Sequence, residues 1–153
     1  MEDVRVAQSS DLPELERMLD DAIRETPIAR AGHLSGFPQR YTAPLERFTQ
    51  ALASEAQNAF VGLLETHAVG FAIVVIEEGM PGGRLARVEE LYVEPEAREV
   101  GIGEALLDAC VQWARDTGCA GIEVEALPGA RSAKNLAERS GFSARLLTLY
   151  RSL

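Results

Sequence analysis

Residues 88–114 constrain the fold of this chain more than any other stretch. They contain the apolar segment VEELYV, a short polar loop, the glycines Gly101 and Gly103, and then a long amphipathic segment. Within that segment, apolar residues recur at the spacing of one helix face, namely Ile102, Ala105, Leu106, Ala109, Cys110 and Trp113. The pattern predicts a strand, a glycine loop and a helix that packs against a sheet.

The glycine loop before this helix predicts an anion-binding site. The first N–H groups of a helix have no partner within the helix, and the helix dipole places partial positive charge at the same end. Glycines allow a ligand to approach that backbone closely. A glycine turn that only joins strand to helix is the alternative interpretation, because short glycine motifs also occur by chance.

Two nucleotide-binding loops are excluded by their spacing. A Walker P-loop requires Lys followed by Ser or Thr after its last glycine, whereas Glu104 and Ala105 follow Gly103. A dinucleotide-binding fingerprint requires a small residue three positions after Gly103, where this chain has Leu106. It also requires a strand that leads directly into the first glycine, and here seven residues intervene, at positions 94–100.

The pattern Leu-x-Val-x-Pro followed by Arg-x-x-Gly-x-Gly resembles the pyrophosphate-binding motif of the GNAT superfamily of acetyl-CoA-dependent N-acetyltransferases. The residues that carry this resemblance are Leu91, Val93, Pro95, Arg98, Gly101 and Gly103. The order of the predicted elements is similar to that family along essentially the whole chain, and residues 133–142, AKNLAERSGF, resemble its closing helix and Gly-Phe turn.

The fold implied is α/β (α+β), with a GNAT-like mixed, mostly antiparallel sheet of about six to seven strands and about four helices. Residues 1–153 are expected to form a single N-acetyltransferase domain. Strands are predicted over residues 4–7, 59–64, 68–76, 86–93, 120–126 and 143–150. Helices are predicted over residues 12–24, 45–55 and 132–140, and from Gly101 to a left-handed cap at Gly118.

Composition and charge limit the partners. With 46% hydrophobic and 25% charged residues, no apolar run near ~20 residues and no signal peptide, the chain is expected to be cytoplasmic, without a membrane partner. A net charge of −9 argues against nucleic acid as a partner and favours a cationic substrate. Cys110 and Cys119 belong to no metal-binding spacing, so no metal is expected, and Cys110 is predicted to be a buried thiol.

The resemblance implies acetyl-CoA as cosubstrate. It implies that the N–H groups of residues 100–103 hold the pyrophosphate with Arg98 at the rim, and that the backbone of residues 91–93 pairs with the pantetheine arm and polarises the thioester carbonyl. The cofactor-binding residues implied are Leu91, Tyr92, Val93, Arg98, Glu99, Val100, Gly101, Ile102, Gly103 and Asn135.

Acetyl transfer to an amine requires a general base, because a protonated amine cannot attack. In the family, a position on this strand often carries an acidic or histidine base. Strand alternation predicts that Glu89 shares a face with Leu91 and Val93 and that Glu90 lies on the opposite face, so Glu89 is the preferred candidate. A carboxylate at the sheet surface that forms an ion pair with Arg87 or Arg84 is the alternative interpretation of Glu89. Glu123 and Glu125 on the next strand could also bind or deprotonate a cationic amine.

The sequence departs from the family at the general acid. The tyrosine that commonly protonates the leaving thiolate is replaced by Ala137, so Tyr150 from the last predicted strand is proposed instead, with Tyr92 as a second candidate. The acceptor is expected to be a small-molecule or peptide amine. A Gly- and Pro-rich loop at residues 28–44 is predicted to face this substrate, and a surface loop that packs on the core is the alternative interpretation. A homodimer is compatible with the family. Two rival interpretations are open: a non-catalytic acyl-CoA-binding module of the same fold, and a partner-binding domain in which the cofactor cleft has collapsed.

Overall fold

A computed structural model describes residues 2–25, 44–125, 131–146, 149, 151 and 153. In these residues the sheet has five strands in the order β1-β2-β3-β4-β5. The strands are β1 (Glu2–Val6), β2 (Gln57–Leu64), β3 (His67–Glu77), β4 (Leu85–Val93) and β5 (Gly121–Val124). The α-helices within these ranges are α1 (Leu12–Glu25), α2 (Pro44–Ala53), α3 (Ile102–Asp116) and α4 (Arg131–Arg139). Short 3-10 turns occupy Ser9–Asp11 and Pro95–Ala97.

The strand directions confirm the predicted mixed, mostly antiparallel sheet. β1 to β4 are antiparallel to their neighbours, and β5 joins β4 in parallel after the crossover through α3. Gly118 has a φ of 78°, which confirms the left-handed cap at the end of α3. None of the helices in the described ranges has the length and apolarity needed to cross a bilayer.

The predicted count of six to seven strands is wrong, because the described residues form five. Residues 143–146 of the expected last strand have no regular structure, and the side chain of Leu146 is 90% exposed. Alternating apolar residues suggest a strand, but a strand also requires an edge with which to pair, and no pattern in one segment supplies that partner. Tyr150 lies outside the described residues, as does the predicted loop up to residue 43.

The sheet separates two hydrophobic cores. The first core lies under α1 and α2, and its members include Leu15, Met18, Leu19, Phe48, Phe71, Ile73 and Tyr92. The second core lies under α3, and its members include Val74, Val88, Ile102, Leu106, Leu107 and Cys110. The helix faces predicted by periodicity are therefore the buried faces, and the buried Cys110 is confirmed.

Two glycines allow the first turn of α3 to lie close to the sheet. Gly62 and Gly70 are opposite each other on β2 and β3. A Cβ atom built on Gly62 would lie 2.7 Å from Cγ2 of Ile102, and one built on Gly70 would lie 3.3 Å from the same atom. The absence of two side chains thus creates the space for Ile102, and it fixes the position of the glycine loop just before that residue.

Candidate active site

The loop before α3 has the backbone of an anion site. Gly101 caps the helix with φ 92° and ψ −7°, and Glu99 has a φ of 68°, so both adopt left-handed conformations. The first bond across this cap runs from the N–H of Ala105 to the carbonyl of Gly101, and no side chain caps the helix. A Cβ atom on Gly101 would have no neighbour within 4 Å. The first N–H groups of α3 thus lie at the positive end of the helix dipole without a side-chain cap, and the space beside Gly101 is open, which is the arrangement that anion binding requires.

Gly103 lies directly under a side chain of α4. A Cβ atom on Gly103 would lie 2.9 Å from Cδ2 of Leu136 and 3.8 Å from Cγ2 of Val93. Leu136 is partly buried against the second core, whereas its neighbour Asn135 is exposed. The predicted cofactor residue Asn135 therefore lies beside the loop, on the helix that packs on Gly103.

Arg98 links the loop to α1. Its Nε donates a hydrogen bond to the backbone oxygen of Val93 at 2.8 Å, and its Nη2 forms an ion pair with the carboxylate of Glu25 at 2.6 Å. The guanidinium carbon also lies 5.8 Å from the ring centre of Tyr92. Arg98 is thus at the rim of the loop, and its charge already has a carboxylate partner.

The sheet opens beside the second half of β4. The parallel pairing of β4 with β5 ends at Val88 and Val124 in the described residues. The N–H of Glu94 bonds to the carbonyl of Val69 on β3, so alternation directs the backbone groups of Leu91 and Val93 away from β3. These groups face the gap that β5 leaves, as the pairing of an extended arm at residues 91–93 requires.

A β-bulge at Glu89 overturns the predicted orientation of the two carboxylates. Ile73 is opposite Glu90 and Val74 is opposite Val88, so Glu89 is the extra residue on β4. Strict alternation would place Val88 and Leu91 on different faces, yet both pack in the second core. The predictions that Glu89 shares a face with Leu91 and that Glu90 lies opposite to Glu89 are therefore wrong.

Both carboxylates point to the side of α1 and α2. Glu89 accepts a hydrogen bond from the guanidinium of Arg47 on α2, and Arg47 also donates to Gln57 at 2.7 Å. Glu90 is only 5% exposed and lies opposite Ile73, a member of the first core. Glu89 is therefore a half-exposed carboxylate oriented by an arginine, and Glu90 is a buried one.

The arginines expected as alternative partners of Glu89 bind other groups. Arg87 lies between Glu77 and Glu123, at 2.9 Å from each, and these contacts join β3, β4 and β5. Arg84 forms an ion pair with Glu78 at 2.8 Å. Glu123 is thus engaged in the sheet, whereas Glu125 is exposed just after β5.

Of the two tyrosine candidates, only Tyr92 lies in the described residues. Its ring packs against Phe71 with centres 6.0 Å apart. Burial raises the pKa of its hydroxyl, and the negative charges of Glu25 and Asp21 raise this pKa further. Ala137 lies on α4 and offers no acidic proton. No group of three or more His, Cys, Asp and Glu residues in the described part of the chain could hold a metal ion.

Several residues of the site were not singled out from the sequence. Gly62 and Gly70 carried a usable signal, because an isolated glycine in a strand pattern indicates a close approach of backbone or side chains. Arg47 carried none: it is 42 residues from Glu89, and only the tertiary structure joins them.

The structure therefore combines a mixed sheet that opens beside β4 with a glycine loop at the start of the crossover helix α3. Residues 15–142 match the model of the Acetyltransferase (GNAT) family. The chain therefore belongs to this family, and the resemblance found in the sequence is confirmed.

Two curated relatives are aminoglycoside N(6')-acetyltransferases of type 1. The protein from Stenotrophomonas maltophilia is 36% identical over 81 residues, which cover 50% of this chain and 53% of that protein. The protein from Klebsiella aerogenes is 44% identical over 55 residues, which cover 34% of this chain and 36% of that protein. The chain thus matches about half or less of the length of these relatives.

A solved structure supports the fold over the full chain. The aminoglycoside acetyltransferase AAC(6')-Iy, in complex with a bisubstrate analogue of CoA and acetylneamine, has a TM-score of 0.77. It is 19% identical, and the match covers 100% of this chain and 99% of that chain. At this identity the similarity concerns the fold alone.

Proposed function

We propose that the chain is an acetyl-CoA-dependent N-acetyltransferase that moves an acetyl group to a primary amine of a small molecule by direct transfer in a ternary complex. The observation that carries the proposal is the uncapped glycine start of α3 at Gly101 beside the second half of β4, which has no strand partner on the β5 side among the described residues. An anion site and an unpaired strand edge next to each other suit a ligand with a pyrophosphate and an extended amide arm. The names of the curated relatives suggest an aminoglycoside as the acceptor class.

The residues of the loop and strand fit such a ligand. The N–H groups of residues 100–103 would hold the pyrophosphate, with Arg98 at the rim and Asn135 on α4 nearby. The outward N–H and carbonyl groups of Leu91 and Val93 would hold the amide arm. Acetyl-CoA supplies the activated thioester, and a backbone N–H of this edge would stabilise negative charge at its carbonyl oxygen.

Glu89 is the proposed general base. Its carboxylate is oriented by Arg47 and lies at the bulge, immediately before the free edge of β4. As the amine nitrogen attacks the thioester carbon, the C–S bond breaks, and the amine proton passes to Glu89 directly or through water. The leaving thiolate has a thiol-like pKa and leaves well, so Ala137 in place of the usual tyrosine is compatible with activity. Tyr150 is retained as a proposed acid, and Tyr92 is the alternative within the described residues.

Calorimetric titration of acetyl-CoA into three proteins tests the cofactor site. Gly101→Asp places a negative charge at the start of α3 and should weaken binding by at least about tenfold. Gly79→Asp is the matched control, because Gly79 also has a positive φ, of 78°, and open space around its Cβ position, but it lies in the turn between β3 and β4. Equal losses in both variants would indicate misfolding. No binding to the wild type would refute the proposal.

Turnover separates an enzyme from a binding module. Acetyl-CoA and a panel of aminoglycosides, polyamines and amino acids should give free thiol at a rate that depends on the amine. Binding of acetyl-CoA without turnover on any amine would instead favour the non-catalytic acyl-CoA-binding module.

A further inference from the structure

The outer edge of β1 has no strand partner among the described residues. β1 is the first strand of the sheet and pairs only with β2. Its register with β2 is uninterrupted, without the bulges that occur in the next two strand pairs, and β1 contains neither proline nor lysine. Bulges, prolines and lysines commonly prevent an edge strand from pairing with another chain. In β1 only the charged side chains remain to decide which partner the edge accepts.

Alternate residues of β1 present backbone hydrogen-bonding groups to this outer edge. The N–H of Ala7 donates to the carbonyl of Ala59 on β2 at 2.9 Å, so Ala7 bonds inwards. The bonding direction alternates along an antiparallel strand, so the odd-numbered residues of β1 bond towards β2. The residues that bond outwards are therefore Glu2, Val4 and Val6.

The order of residues in β1 is complementary to itself. When two copies pair antiparallel with Val4 opposite Val4 of the second copy, Asp3 lies opposite Arg5. In the same register Glu2 lies opposite Val6, so each outward backbone group meets an outward group of the second copy. A two-fold axis requires this relationship, because every contact between the copies must occur in both directions.

The charged pair lies where side chains on paired strands are closest. Asp3 and Arg5 would be opposite each other without mutual backbone bonds, an arrangement that separates Cα atoms by only about 4.5 Å. Asp3 is exposed and forms no hydrogen bond or ion pair in the described part of the chain. Asp11 holds Arg5 by two hydrogen bonds, yet 36% of the Arg5 side chain stays exposed. Each copy thus offers an available carboxylate and an oriented guanidinium to the other.

The apolar side of the strand also suits this pairing. Val4 packs partly against the second core, and Val6 is on the same face but is 50% exposed. In the paired strands Val6 would lie diagonal to Val4 of the second copy, within about 7–8 Å. Pairing would therefore cover an exposed valine beside the core under α3.

We propose that the chain forms a two-fold symmetric homodimer by antiparallel pairing of β1 with β1 of a second copy. The two sheets then continue into one. The opening beside β4 lies on the far side of β2 and β3 from this edge, so the pairing leaves both proposed cofactor sites accessible. The inference therefore does not depend on the proposed function.

Sedimentation velocity over a concentration series tests the dimer. One strand per copy makes a small interface, so the dimer should dissociate on dilution. Salt at about 0.15 M screens the repulsion between two chains of net charge −9. The mass should rise from 16.6 kDa towards twice this value between about 1 and about 500 µM protein. A mass of 16.6 kDa at every concentration would overturn the proposal.

Two variants and a matched control locate the interface. Val6→Pro removes an outward N–H but none that bonds to β2, and it should weaken the dimer at least about tenfold. Val6→Thr keeps the N–H and the branched shape, and it should dimerise like the wild type.

Asp3→Arg places like charges opposite each other and should also weaken the dimer at least about tenfold. Asp3 is exposed, so this variant tests the interface even if proline disturbs β1. Thermal unfolding shows whether each variant is folded. A dimer that persists in both Val6→Pro and Asp3→Arg would lie on another surface and overturn the proposal.

Oxidative cross-linking tests the register. In a Cys119→Ser background, Val4→Cys should give a disulfide-linked dimer, because opposed Cα atoms that share backbone bonds are about 5.5 Å apart. Val6→Cys is the matched control, because Val6 lies opposite Glu2 and the two Val6 positions are about 13 Å apart. Failure of Val4→Cys to cross-link at concentrations where the wild type is a dimer would overturn this register.

Discussion

A Cβ atom built on Gly70 would lie 2.8 Å from the backbone oxygen of Tyr92. Gly70 is on β3, opposite Val93, so this contact joins the hairpin to the part of β4 that borders the open edge. The close approach involves backbone rather than a movable side chain. The position of the proposed cofactor edge therefore depends on the absence of a side chain on a neighbouring strand.

Gly70→Ala should lower the free energy of unfolding by about 1–3 kcal/mol, because the added methyl group meets a fixed carbonyl. Gly82→Ala is the matched control, since a Cβ atom there meets nothing within 4 Å. Urea unfolding of both variants measures the difference. Equal stability of the two variants would show that β4 shifts freely and that the contact does not constrain the edge.

Glu89→Gln should lower kcat by about 10²-fold or more if Glu89 accepts the amine proton, and leave the KM for acetyl-CoA unchanged. Glu90→Gln, the same change one residue along the strand, is the comparison. Thermal unfolding of each variant separates lost catalysis from lost stability, since Glu90 is buried. A large loss of kcat in Glu90→Gln alone would transfer the role of base to Glu90.

Arg47→Met should lower kcat less than Glu89→Gln does, because Arg47 only positions the carboxylate. Arg47→Lys should restore part of the activity, since a cation returns to Glu89 without the contact to Gln57. Steady-state kinetics with separate kcat and KM values measure both effects. An equal loss in the Met and Lys variants would show that charge at this position is irrelevant.

Of the two cysteines, only Cys119 should react with a thiol reagent in the native protein at about pH 8. Burial raises the pKa of Cys110 to about 12, and the thiolate is the reactive form, so Cys110 should not react. Cys119 is only partly buried and should react first. Titration with a chromogenic disulfide should count one thiol in buffer and two in urea. Cys119→Ser should reduce the native count to zero, and a native count of one in that variant would contradict the burial of Cys110.

Asp11 should make stability depend on acid pH. Two hydrogen bonds from the guanidinium of Arg5, at 2.8 and 2.9 Å, lower the pKa of Asp11 below its ordinary 3.8, and the N–H of Gln8 lowers it further. A lowered pKa stabilises the fold above the unfolded-state value, and this contribution disappears as pH falls through the folded-state value. Asp11→Asn should cost about 1 kcal/mol at neutral pH, given the partial exposure of Arg5, and less near pH 3. A cost that does not change with pH would assign the effect to packing.

The part of this protein that could be predicted from sequence is mainly local. The loop at Gly101, helix α3 and the hairpins of β2 to β4 follow from spacing, glycines and periodicity within short windows. The strand count failed at residues 143–146, because a strand also depends on a partner elsewhere in the chain. The orientation of Glu89 failed because a bulge arises from the register between two strands, which alternation within one strand does not contain.

The sequence by itself determined the family and was enough to propose an anion site and a cosubstrate loop at Gly101, because these features reside in consecutive residues. Only the tertiary structure decided which carboxylates share a face, that Arg47 orients Glu89, and that Tyr92 and Glu96 meet α1 in one cleft. Each of these relationships joins residues that are distant in the chain. Their geometry is therefore set by strand register and helix packing rather than by any local pattern.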